Sequence, residues 1–170
     1  MKFLYILFSL FLFVGCNQVK DEGQDSSSDL KDTLRISKDD ISKLDYIEFV
    51  LDEKAQALFS SWTSYTDLEG HIENLKQGNI TFFSENPELL DALVKDFKET
   101  LPEEINTPAI QARIKELETK IYKLQSNSRL FNDDKTHVLP VIKELLIAFS
   151  NFNLQINKKF EKEAQNIQKP

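Results

Sequence analysis

Thr107-Pro108-Ala109-Ile110-Gln111-Ala112-Arg113-Ile114-Lys115-Glu116-Leu117-Glu118-Thr119-Lys120-Ile121-Tyr122-Lys123-Leu124 decides the fold. Ile110, Ile114, Leu117, Ile121 and Leu124 recur at gaps of three and four, the spacing that lines up one face of an α-helix. Arg113, Lys115, Glu116, Glu118 and Lys120 fall on the wet sides. Thr107 supplies a capping side chain and Pro108 suits the first turn, where no backbone donor is needed. A helix with one apolar stripe must bury that stripe against other elements.

The neighbouring stretches have the same character. Upstream, Asn86-Pro87 repeats the cap-and-proline start before Leu89, Leu90, Leu93, Val94 and Phe97, and Pro102 ends this shorter helix. Downstream, Gln125 to Asp134 reads as a polar turn from which Leu130 and Phe131 fold back on the core. A last helix starts near Asp133 or Asp134 and carries Val138, Val141, Leu145, Phe149, Phe152, Ile156 and Phe160, with Pro140 tolerated close to its start. At the front, Ser37-Lys38-Asp39-Asp40 fits a capping box. It precedes Ile41, Leu44, Ile47, Leu51, Ala55, Leu58, Trp62 and Tyr65, which predict one long helix reaching Ile72 and Leu75, weakest at Ser60 to Gly70. Ile80 to Phe83 reads as an apolar plug in the connection. No stretch alternates dependably with the period of a strand. The expectation is an all-α, antiparallel bundle of about four helices over residues 37–168.

The first residues differ in kind. Lys2 is followed by an apolar run from Phe3 to Val14, and Leu12-Phe13-Val14-Gly15-Cys16 closes it with a small residue before the single cysteine. A dozen apolar residues rise about 18 Å as a helix, against roughly 30 Å of membrane hydrocarbon, so the run suits a secretory signal rather than a span. Leu12 to Cys16 resembles the lipobox of bacterial lipoproteins. That resemblance implies a signal peptide over residues 1–15, cleavage after Gly15, and diacylglycerol and N-acyl chains on Cys16, with no other cofactor. Gln18-Val19-Lys20-Asp21-Glu22 is similar to the acidic surface-export signals of Bacteroidetes lipoproteins. Both imply a place in the bacterial cell envelope, at the outer membrane, on its periplasmic or its surface face. Residues 16–36 are polar, with Gly23 and Ser26 to Ser28, and predict a flexible tether with an end-to-end distance of roughly 25 Å.

At 170 residues the chain suits one folded domain, and its formal charge of −7 argues against nucleic acid as a partner. The lone cysteine rules out an intrachain disulfide. The two histidines each lie four residues after an aspartate, Asp67 with His71 and Asp133 with His137, a spacing that on a helix could offer two ligands to a metal. Bundle metal sites draw on more inward carboxylates than this, so surface or capping roles fit better and no metal site is expected. Glu103-Glu104 and Asp133-Asp134 suit helix starts. No nucleophile elbow or phosphate-binding glycine loop occurs, so no catalytic residue is expected. Phe49 and Phe59 fall beside the first helix's stripe and are candidates for an interaction surface with another envelope protein. Trp62, Tyr65 and His71 are candidates for a small-molecule or metal-binding region, the alternative to a noncatalytic adaptor.

Overall fold

The structure is a computed structural model that describes residues 35–132 and 134–165. Its frame is the pairing of its two longest helices. Seven α-helices occur among the described residues: α1 Lys38–Ser42, α2 Glu53–Phe59, α3 Thr63–Lys76, α4 Thr81–Glu85, α5 Pro87–Glu99, α6 Pro108–Phe131 and α7 Lys135–Ala164. A 3-10 turn, Glu103–Ile105, lies between α5 and α6, and there is no strand among the described residues. They belong to one compact unit, Thr33–Pro170. The fold is all-α, as the periodicity implies.

In α6 the cap works as the sequence indicates: the Thr107 hydroxyl accepts from the Ile110 amide, and Ile110, Ile114, Leu117, Ile121 and Leu124 are all buried. The helix then runs past Leu124 through the expected turn. Ser128 faces inward at 2% exposure, and the end comes at Asn132, left-handed at φ 49°, whose amide donates to the Ser128 carbonyl. Extending the helix carries Leu130 outward to 73% exposure, so Leu130 does not fold back on the core. Phe131 is half-buried and does not join the core; it stacks on the exposed His137 at 4.1 Å. The Asp134 carboxylate caps α7, accepting from the Thr136 amide at 2.9 Å. Lys120 and Lys123 both reach Glu144, at 2.9 and 2.7 Å, which ties α6 to α7 and holds the Glu144 carboxyl below the usual carboxylate range.

Helices α3 and α5 complete the bundle. The start of α3 lies at the end of α5, where the Trp62 indole donates to the Thr100 hydroxyl at 2.9 Å, and Lys98 of α5 pairs with Glu118 of α6 at 2.8 Å. The expected plug is the helix α4, with Phe83 fully buried and Ile80 nearly so.

The front of the domain departs from the expected single helix. The capping box forms, with Ser37 and Asp40 exchanging side-chain and backbone bonds, but α1 ends at Ser42. Residues 44–52 then run without helix or turn as a strap, α2 follows, and Ser60 and Ser61 make the turn into α3. The apolar spacing alone fits a helix; Tyr46-Ile47-Glu48-Phe49-Val50 also suits extended chain, because β-branched and aromatic side chains favour it. Length decides between them. Phe49 and Asp52 are bonded to Ser150 and Asn157 of α7, and over that stretch α7 rises about 10 Å. An extended Phe49 to Asp52 also advances about 10 Å, whereas a helical one would advance about 4.5 Å and miss the second anchor.

Candidate functional site

The strap lies along α7 on a row of polar side chains. Ser150, Asn153 and Asn157 are spaced by three and four and share one helical face. The Ser150 hydroxyl donates to the Ile47 carbonyl at 2.8 Å and accepts from the Phe49 amide at 2.7 Å. The Asn153 amide nitrogen donates to the Phe49 carbonyl at 3.1 Å. Asn157 uses both ends, donating to the Val50 carbonyl at 2.8 Å and accepting from the Asp52 amide at 3.0 Å. Backbone groups that a sheet would pair are paired here by a helix's side chains. Lys76 of α3 pairs with Glu48 on the strap and with Glu73.

Pinned this way, the strap presents Ile47 and Val50 to solvent at 73% and 66% exposure. Phe49 is half-buried. Phe59, the other residue expected at an interaction surface, is a core residue at 2% exposure, because α2 turns its stripe onto α7 and α3.

Trp62 and Tyr65 do come together, in an aromatic cluster with Phe59, Phe97, Phe149 and Phe152. Tyr65 packs edge-on to Phe59 at 4.7 Å and stacks on Phe149 at 5.9 Å, while Trp62 lies 4.6 Å from Phe97. Trp62 and Tyr65 are 3% and 2% exposed, so their rings build the core. The Tyr65 hydroxyl is the polar tip of the cluster, 3.1 Å from Glu69 Oε1 and 3.2 Å from Asn153 Oδ1. Burial, reinforced by the Glu69 carboxylate, pushes its ionisation far above the usual tyrosine range.

His71 is not part of this group. Six residues beyond Tyr65 on the same helix, it points to a different side and stacks flat on Phe82 at 3.4 Å. Burial lowers its pKa, with Asp67 opposing. Both histidines thus lie on phenylalanine rings, and no three His, Cys, Asp or Glu side chains come together among the described residues. Cys16 and residues 16–34 lie outside the described residues, as does Asp133.

Two open clefts border the cluster. One, of about 360 Å³, is lined by Trp62, Ser64, Thr100, Pro102 and Glu104, among others. The other, of about 250 Å³, opens beneath the strap between Val50, Leu51, Gln56, Phe59, Tyr65, Thr66 and Glu69. Residue spacing did not point to Ser150, Asn153, Asn157 or Glu69. The available signal was Ser150 and Asn153 placed among Phe149, Phe152 and Ile156: polar groups at positions where a helix would be expected to bury apolar ones.

Comparison with family models, with curated proteins and with solved structures finds no match. No helix among the described residues is long and apolar enough to cross a membrane.

Proposed function

We propose that this protein is a lipid-anchored, noncatalytic helical module of the bacterial cell envelope, at the outer membrane, that docks on another envelope protein. The exposed pair Ile47 and Val50 carries the docking part of the reading. Two large apolar side chains stand in water on a segment whose backbone is anchored, so burying them costs little further ordering. The Leu12 to Cys16 motif supports the lipid anchor, and the polar residues 17–36 supply reach between membrane and domain.

Two variants test the parts separately. Cys16→Ser should move the protein from the membrane fraction to the aqueous one or stall its processing; unchanged membrane association would overturn the anchor. Ile47→Asp with Val50→Asp should leave the melting temperature nearly unchanged, since both side chains are exposed. In native mass spectrometry of protein recovered gently in detergent, the added mass of a protein partner should be present for the natural chain and absent for the double variant. The same partner on both, or a bare lipidated chain throughout, sinks the docking reading.

A further inference from the structure

The cleft beneath the strap offers more hydrogen-bond acceptors than donors around Tyr65. The Tyr65 hydroxyl carries one hydrogen and faces two acceptors, Glu69 Oε1 at 3.1 Å and Asn153 Oδ1 at 3.2 Å. Asn153 cannot turn its amide to help, because its nitrogen already donates to the Phe49 carbonyl at 3.1 Å. One acceptor is therefore left without that hydrogen. Glu69 also has no lysine or arginine partner among the described residues, and it lines the cleft half-buried. Leu51 and Phe59 form an apolar floor, with Gln56 and Thr66 at the sides and Val50 at the lip. The volume, about 250 Å³, is below the roughly 300 Å³ at which drug-sized pockets begin.

We propose that this cleft binds a small organic ammonium ion with a short apolar body, its N–H groups donating to Glu69 and its body resting on Leu51 and Phe59. The ammonium supplies a donor and a positive charge opposite Glu69. An anion would face Glu69 unpaired, and a dication would set its second charge against the apolar floor. This inference and the docking reading meet only at Val50, at the lip of the cleft, and their tests use different variants, Glu69→Gln here and Ile47→Asp with Val50→Asp there.

The test uses the full chain and 2-phenylethylammonium as probe, with 3-phenylpropionate as the anionic control of similar shape. Trp62, the single tryptophan, reports occupancy through its contacts with Phe59 and Tyr65, and amide NMR shifts locate it. The expected result is saturable binding of the amine alone, with shifts centred on Leu51, Phe59 and Glu69. Glu69→Gln should weaken binding at least about tenfold, the loss of one charge-assisted contact. Tyr65→Phe keeps the ring in the core and removes the one hydrogen that competes for Glu69, so it should fold and bind the amine at least as tightly. No saturable shift at millimolar amine, where a contact worth about 4 kcal/mol would register, overturns the proposal. So does equal binding of the acid, or full retention of binding by folded Glu69→Gln.

Discussion

Asn153 uses both ends of a single amide: its nitrogen holds the Phe49 carbonyl of the strap and its oxygen lies against the Tyr65 hydroxyl of α3. At 3% exposure neither contact has water as a substitute. Asn153→Ala strands a buried carbonyl and empties the space, so unfolding in urea should show a loss of about 1–3 kcal/mol. Asp40 carries a different sensitivity. Lys135 at 2.8 Å, with Ser37, holds its carboxyl well below the usual carboxylate range. A pKa depressed by folding stabilises at pH values above the ordinary aspartate value of about 3.9 and is lost as the pH falls toward the folded value. Asp40→Asn should therefore be less stable than the natural chain at neutral pH, by about 1 kcal/mol. Urea titrations at decreasing pH should find the gap closing below about pH 4; a gap independent of pH would mean that the pair contributes nothing.

Among the elements, α3 offers the plainest comparison because its two glycines do opposite things. Gly70 sits exposed within the helix, and a Cβ added there meets nothing within 4 Å. Gly70→Ala should raise stability by about 0.5–1 kcal/mol, read as a higher melting temperature. Gly78, just past the helix, has φ +90°, and a Cβ there would stand 3.0 Å from the backbone of Ile36, Ser37 and Lys38. Gly78→Ala should cost about 1–3 kcal/mol and loosen the entry of the chain into α1. The elements legible in the sequence were those whose starts and stripes agree: Thr107-Pro108 with α6, Pro87 with α5 and Asp134 with α7, although Asn86 makes no cap bond to α5, its amide donating instead to the Thr81 carbonyl, and Leu89 stands outside the stripe at 61% exposure. The strap was not legible, because Leu44, Ile47 and Leu51 fit a helix as well as they fit extended chain. What selects between them is Ser150, Asn153 and Asn157, a hundred residues away. Glu69 escaped notice for the same reason. It is an ordinary wet-face glutamate until Tyr65 and the strap close around it.

At the scale of the described domain, the molecule is a bundle whose strap, residues 44–52, is stitched to α7. Hydrogen exchange should resolve the stitching from the core. In Ser150→Ala with Asn157→Ala, the amides of Phe49 and Asp52 should lose their partners and exchange rapidly, while Ile121 and Leu145, buried between α6 and α7, stay protected. Equal protection in both chains would show that Asn153, the Lys76–Glu48 pair and apolar contacts suffice to hold the strap. The strap also imposes a timetable. Its bonds to α7 join residues 101 to 107 positions apart, and a ribosome adds roughly 5–20 residues each second. Residues 44–52 therefore wait roughly 5–20 s after they are made before Ser150 to Asn157 exist to receive them. Throughout that interval Tyr46, Ile47, Phe49 and Val50 are open to any chaperone or export factor that binds extended apolar chain. The domain cannot lock itself shut until α7 has been synthesised, so its closure is the last event of its folding.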